Sequence, residues 1–274
     1  MTETIYSAEG ALRHPARFLA AGREDLPHMA AVAWHLFRRN VRIRYRRTWL
    51  VYAWLLLPSV ATTLLCVYIT SRRIISIAAP ELPYAVHVLA GMVLWQTFLD
   101  ALNAPLQQFA AGRQLMTRSR VPLEALVLAG VFEGLLNCGV RLLVLGAVLF
   151  AYGVPMSASL LLAPLGLAAL TLLGLAIGVI LAPVGLLYED VGRAVTMTTG
   201  VWFFLTPVVY PAPAEGLLRY NPVTPLLETT RAWLTSTGPA SDGFGLVAAA
   251  ATVLLLVGWA LLRLARPHVV ERLG

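Results

Sequence analysis

The chain has 274 residues, 58% of them hydrophobic and only 13% charged, with a formal net charge of +7. One water-soluble core cannot hide that much apolar surface, so a soluble globule is excluded and a polytopic membrane protein is expected. All 21 basic residues are arginine, so the phosphate-binding loop of nucleotide hydrolases, GxxxxGK[ST], which needs a lysine, is excluded as well.

Residues 1–27 show little periodicity and are expected to form a mobile cytosolic lead-in. From His28 to Arg47 the pattern changes: Trp34, Phe37, Val41 and Tyr45 recur at helical spacing, Arg38, Arg42 and Arg46 line an adjacent stripe, and Arg39, Arg44 and Arg47 add to it. Residues 28–47 therefore read as an amphipathic helix lying in the headgroup layer, its arginines drawn to anionic lipid. Two readings stand side by side. The stripe is either a membrane anchor or a landing site for a phosphate-bearing lipid, because a guanidinium grips phosphate oxygens in a bidentate way.

The first span runs from about Trp49 to Thr70, with Pro58 as an expected kink; behind so long a polar leader, no cleavable signal peptide is expected. The second, about Tyr84 to Leu106, carries Gln96, Asp100, Asn103 and Gln107 on one helix face. A carboxylate near the middle of a span costs on the order of 3 kcal/mol on insertion scales, so this face turns to protein or water. It serves either helix-to-helix hydrogen bonding or the lining of a pathway. Residues 108–122, QFAAGRQLMTRSRVP, form a basic connection long enough for one short helix on the membrane surface.

A third span follows from Leu123 to about Tyr152 and places Glu133, Asn137 and Arg141 at successive i+4 positions. Its outer two members lie about 12 Å apart along the axis, so Asn137 or another helix has to bridge them, which reads first as structural glue. Gly130-x-x-x-Gly134, and Gly174-x-x-x-Gly178 with Ala182, offer small faces for close helix approach. The fourth span, about Leu160 to Leu187, contains Pro164 and Pro183 as bend points. A charged turn from Tyr188 to Arg193 leads into a fifth span, Ala194 to Tyr210, and Phe244 to Leu264 makes the sixth.

Between the last two lies a segment that neither spans nor belongs in water. From Pro225 to Leu234 a helix rises about 15 Å, roughly half of a 30 Å hydrocarbon core, with Thr224 and Pro225 as N-cap and first-turn pair. Leu217, Leu218, Tyr220, Leu226, Leu227, Trp233 and Leu234 make the segment too apolar for an ordinary loop. We read a helical hairpin dipping back into the membrane, broken at Asn221-Pro222. Such backbone is tolerated at depth only where protein or a watery cavity surrounds it.

With six spans the chain ends share one side, and sixteen arginines fall on that side against four on the other. Both termini are thus expected in the cytoplasm, and the basic charge is accounted for without nucleic acid. Cys66 and Cys138 fall inside spans and read as buried thiols. The five histidines are scattered, with no HExxH spacing, and there is no GxSxG elbow. No metal site and no catalytic residue are expected.

Four stretches carry a resemblance: FRRNVRIRYRRTWLVYAWLLLPSV (37–60), RSRVPLEAL (118–126), LLYEDVGRAV (186–195), and WFFLTPVVYP with YNPVTPLLETTRAWL (202–234). In order and spacing they resemble the permease subunit of ABC-2 type exporters for polysaccharides and polyol phosphates, the group that moves lipid-linked O-antigen, capsule and teichoic acid chains. The resemblance implies an all-α membrane protein of the ABC-2 exporter fold in the bacterial inner membrane. It implies a homodimer of six-span subunits docked on two copies of an ABC ATPase, with ATP and Mg on those partners and no cofactor in this chain.

By the same resemblance, residues 28–47 are the gate helix, where Arg38, Arg39, Arg42 and Arg46 would receive a lipid phosphate. Residues 108–121 are the coupling helix, and Arg113, Arg118, Ser119 and Arg120 with Glu189 and Asp190 would meet the ATPase. Residues 214–234 are short outer gate helices bearing Tyr220, Asn221, Glu228 and Arg231. Gln96, Asp100 and Asn103 with Trp202, Phe203, Phe204 and Tyr210 would line the sugar channel, since a pyranose presents an apolar C–H face to an aromatic ring. An interfacial aromatic belt explains the aromatics equally well. Two rival functions stay open: an ABC-2 permease for a lipid or drug, and an ion-coupled transporter using Asp100 and Glu133 as proton carriers, although the two halves of the chain show no repeat.

Overall fold

The structure, a computed structural model, describes residues 15–47, 50–72, 82–118, 122–155, 157–188, 190–211 and 220–273, and among these there is helix but no strand. In chain order the helices are α1 (Pro15–Arg47), α2 (Val51–Ser71), α3 (Tyr84–Arg118), α4 (Leu123–Ala151), α5 (Ala163–Leu187, entered through a 3₁₀ turn at Ala158–Leu162), α6 (Asp190–Phe204), α7 (Val223–Thr235) and α8 (Phe244–Leu273). Five stretches among the described residues are long and apolar enough to cross a bilayer: Tyr52–Ser71, Tyr84–Gly112, Leu123–Ala151, Ala158–Leu187 and Phe244–Leu264. Helix α6 has 15 residues, short of the roughly 20 that a span needs, and the chain continues from it in turns to Tyr210.

Two boundaries differ from expectation. Helix α1 begins at Pro15 rather than at His28, so it takes in the second half of the expected lead-in. A proline in the first turn of a helix sacrifices no internal hydrogen bond, which suits Pro15 to that position. The basic connection after the second span is not a separate element either. Helix α3 runs unbroken for 35 residues to Arg118, because Gln107 to Arg118 contains nothing that stops a helix. At 1.5 Å per residue it measures about 52 Å, roughly 20 Å more than the hydrocarbon core, and its basic end lies past the apolar stretch Tyr84–Gly112.

Helix α3 is the axis of the bundle. In the most apolar 18 residues of its span 78% are buried, against 11% for α2, which lies at the edge. The α3–α5 contact is the most extensive, and glycine permits it: a Cβ on Gly174 would sit 2.5 Å from the Phe98 carbonyl oxygen, and one on Gly178 would strike the Leu102 carbonyl. Phe98, Leu94, Leu102, Leu170 and Leu226 fill the core around this contact. At the other end of the bundle Arg263 of α8 donates from Nε to Glu124 Oε1 of α4 at 2.9 Å and lies over the Trp259 ring, 4.6 Å from its centroid. Glu124 also stands in the first turn of α4, where the helix dipole favours a carboxylate.

Candidate functional site

Two carboxylates inside the spans organise a polar groove between α1, α3 and α4. Gly130 of α4 abuts Ala104 and Gln108 of α3, and Gly134 faces the Cβ of Asp100, so the two backbones run close enough for their polar side chains to meet. Asp100 Oδ2 accepts from Arg141 Nη1 at 2.7 Å and from Asn137 Nδ2 at 3.3 Å. Glu133 Oε1 accepts from Asn40 Nδ2 and Gln108 Nε2, both at 2.8 Å, while Oε2 accepts from Arg44 Nη2 at 2.9 Å. The trio that the spacing left unbridged thus resolves into two hubs: Arg141 pairs across to α3, and Glu133 pairs out to α1. With a side chain only 3% exposed, Arg141 depends on Asp100 for its charge partner.

The groove beside these hubs has a volume of about 160 Å³ and includes Gln96, Asp100, Asn103 and Gln107, the whole stripe read from the second span, with Asn137 and Arg44 opposite. Its walls are carboxylate, amide and guanidinium groups, a set that hydrogen-bonds hydroxyls and phosphates.

Helix α1 turns its apolar face to the bundle. Trp34 and Phe37 pack on Phe132 of α4 with ring centroids 5.9 and 6.0 Å away, and Ala33 sits against Ala125 and Ala129. On its other side His35, Arg38, Arg39, Arg42, Ile43 and Arg46 form a basic stripe along one open face of the helix. Arg38 lies over Trp34, 5.0 Å from the ring centroid, and Arg39 reaches Asn40 Oδ1 at 3.3 Å. The four arginines singled out in the sequence are therefore together. Arg44 departs from them and points into the groove.

At the opposite end, the turns after α6 are stitched to α7. Asn221 is the knot: its Nδ2 donates to Leu205 O at 3.0 Å and Thr206 Oγ1 at 2.8 Å, and its Oδ1 accepts from Trp202 Nε1 at 2.9 Å and from Val223 N at 3.0 Å. Helix α7 therefore starts at Val223, after Pro222, with Asn221 in the capping role expected of Thr224, whose hydroxyl makes no hydrogen bond. It ends at Ser236, which takes the left-handed conformation, φ 59°. Arg231, 6% exposed, donates from Nη2 to the Pro207 and Val208 carbonyls at 2.7 and 3.2 Å and lies 2.8 Å from His87 Nε2 through Nη1. It ties three elements together from within. Tyr220 is exposed and Glu228 half-buried.

The aromatic set divides. Trp202 packs edge-on against Phe98 at 5.4 Å and Phe203 against Trp95 at 5.9 Å, and both are half-buried against the core. Phe204 is 72% exposed, and Tyr210 closes the helix end by donating to the Phe204 carbonyl at 2.8 Å. Of the residues expected to meet an ATPase, Arg113 and Arg118 stand in the last turns of α3, and Asp190 opens α6 with an exposed ion pair to Arg193 at 3.4 Å. Ser119, Arg120 and Glu189 lie outside the described residues, as does the first part of the hairpin, 212–219.

Sequence reasoning did not reach Asn40 and Gln108 as partners of Glu133, nor the pairing of His87 with Arg231. A signal for the first existed: Asn40 falls three residues after Phe37, beside the apolar face of α1. Nothing comparable marked His87.

No family model matches the chain. Among curated proteins it is similar to the O-antigen export system permease protein RfbA of Klebsiella pneumoniae, 26% identical over 204 residues that cover 70% of this chain and 76% of that protein. A second protein of that name from the same organism is 24% identical over 204 residues, with the same shares covered. The protein of that name from Myxococcus xanthus is 25% identical over 205 residues, covering 72% and 77%. The resemblance to ABC-2 export permeases carried by the four motif stretches is thereby borne out.

Proposed function

We propose that this chain, like the O-antigen export permeases it resembles, is the transmembrane subunit of an ATP-driven exporter that moves lipid-linked polysaccharide across the bacterial inner membrane. The observation that carries the proposal is the conjunction of that similarity with a polar groove inside an otherwise apolar bundle. Polar groups held in a membrane protein turn to protein partners or to a watery cavity, and here paired carboxylates stand beside amides that line an open groove.

In this reading two copies face each other and enclose the route. Helix α6 with the turns to Tyr210 completes a sixth crossing, and the half-length α7, anchored by Arg231 and Asn221, caps the route on the outer side. The α1 arginines receive the phosphate end of the lipid at the cytoplasmic surface, and the groove offers hydrogen bonds to sugar hydroxyls. The basic end of α3, standing beyond the membrane, meets an ATPase subunit that supplies the work. This chain performs no covalent chemistry. Its contribution is differential: the arrangement that the nucleotide-bound partner favours is the one in which the route is open.

The test is deletion of the gene in its own host, then extraction of lipid-linked glycan. Stranding of full-length glycan on the cytoplasmic face, with loss from the surface, supports the proposal; normal surface glycan with no build-up inside refutes it.

A further inference from the structure

A second cavity lies away from the polar groove and from α1. It opens between α4, the 3₁₀ turn at Ala158–Leu162, α5 and the C-terminal end of α7, and has a volume of about 350 Å³. Leu145, Leu149, Ala163 and Leu234 form its floor and are buried, whereas Pro155 and Pro164 at its mouth are exposed. Gly146 lines it too, and a Cβ there meets nothing within 4 Å, so the space is open down to the α4 backbone. Along α4 the lining runs from Leu142 to Leu149, about 10 Å at 1.5 Å per residue, a third of the hydrocarbon core.

The chemistry of the walls says what fits. Of the described lining residues none is charged and only Ser236 has a polar side chain, so water, which needs two or more polar partners, is a poor occupant for on the order of ten water volumes. The space is also too small for a helix, one turn of which, about 10 Å across and 5.4 Å high, takes roughly 420 Å³. It suits something apolar, flexible and narrower than a helix. Around it Leu143, Phe150, Leu161 and Leu165 are exposed apolar side chains, as on the lipid face of a span. One end is polar: Ser236 Oγ accepts from Ser157 N at 3.1 Å, Ser157 and Ser159 share a hydroxyl hydrogen bond of 2.7 Å, and Ser159 donates to the Trp233 carbonyl at 3.1 Å. We infer that this groove binds one acyl chain of a membrane phospholipid, with the glycerol end at the serine rim. Because Leu234 and Ser236 close α7, the bound chain bridges that half-length helix to the α4 and α5 spans and steadies its seat. With no charge among the described lining residues, the site reads the chain rather than the headgroup. The inference goes beyond the exporter reading and does not depend on it.

The experiment is native mass spectrometry of the full chain, released from detergent after titration with dipalmitoyl phosphatidylethanolamine or dipalmitoyl phosphatidylglycerol. The parent is expected to hold one lipid per chain at saturation, with the two headgroups binding alike. Gly146→Phe fills the slot and is expected to weaken binding about tenfold, the loss of roughly two buried methylenes. Gly139→Phe is the control: it stands on the same helix with open space around it but outside the groove, and it leaves binding unchanged. Saturating lipid should raise the melting temperature of the parent and of Gly139→Phe, and not that of Gly146→Phe. A phospholipid with a photoactivatable diazirine high on one chain gives a readout that needs no variant, with crosslinks concentrated on residues 142–149 and 160–167.

The inference is overturned if the parent binds no lipid, or binds lipid without a plateau, or if a folded Gly146→Phe binds like Gly139→Phe. Crosslinks spread evenly over the exposed faces of α4 and α8 also overturn it. So does a parent that runs as a lipid-free dimer and becomes monomeric on Gly146→Phe, since the groove then belongs to a second copy. Should Gly146→Phe fail to fold, the crosslinking pattern of the parent decides.

Discussion

Replacing Asp100 by alanine removes the carboxylate that Arg141 depends on and leaves the cation deep in the bundle. Arg141 is 3% exposed, its Nη1 reaches Asp100 at 2.7 Å, and its Nε has no hydrogen-bond partner. Breaking a buried pair by removing one member costs about 3–5 kcal/mol; because the Asp100 side chain is 22% exposed to the groove, we expect the lower end, about 3 kcal/mol. The reverse change, Arg141→Leu, leaves Asp100 with Asn137 at 3.3 Å and with the groove beside it, so the expected loss is smaller, about 1 kcal/mol. Removing both charges together, as Asp100→Leu with Arg141→Met, returns stability to within about 1 kcal/mol of the parent, since a well-packed apolar pair replaces an ion pair at little cost. The assay is thermal loss of the monodisperse peak in detergent. At about 2–4 °C per kcal/mol for a protein of this size, Asp100→Ala should fall by about 6–12 °C and the double variant by a fraction of that. Losses that simply add, or an Arg141→Leu loss as large as that of Asp100→Ala, would refute the assignment of this pair.

Three further outcomes are expected. Gly178→Ala drives a Cβ into the Leu102 carbonyl and should cost about 2 kcal/mol in the same melting assay, whereas Gly139→Ala, with open space around it, should be neutral or slightly stabilising. Arg231→Met leaves the Pro207 and Val208 carbonyls without their donor and should cost about 3 kcal/mol; Arg231→Lys should recover only part, because a single ammonium does not hold the carbonyls met by Nη2 and the His87 ring met by Nη1 together. Arg118→Glu at the basic end of α3 should reduce recovery of an ATPase subunit on affinity purification while leaving the melting temperature unchanged, and full recovery would count against the coupling role.

Legibility in the sequence depends on the range of the interactions involved. The spans, the small faces at Gly130 and Gly174, and the one-sided stripe from Gln96 to Gln107 are properties of single helices, and periodicity along the chain exposes them. The half-length of α7 is readable for the same reason. Periodicity does not carry the choice of partner. That Arg141 answers to Asp100 rather than to Glu133, and that Glu133 answers to α1, depends on how Gly130 and Gly134 of α4 seat against Ala104, Gln108 and Asp100 of α3, which is a long-range outcome. The end of the second span is misjudged in sequence because a polar, basic stretch resembles a connection. Charge alone does not stop a helix, and α3 continues to Arg118 for want of a glycine pair or proline to end it. Trp202 and Phe203 stand next to Phe204 in a linear string, yet the string does not show that Phe98 and Trp95 pack against the first two while Phe204 stays exposed.

The most direct measurement is transport by the tagged full-length chain purified in mild detergent from its own host and reconstituted with whatever co-purifies. The account predicts an ATPase subunit in the preparation and delivery of lipid-linked glycan to the far side of the vesicle only when ATP is hydrolysed. Delivery sustained by an ion gradient with no ATPase present would contradict it.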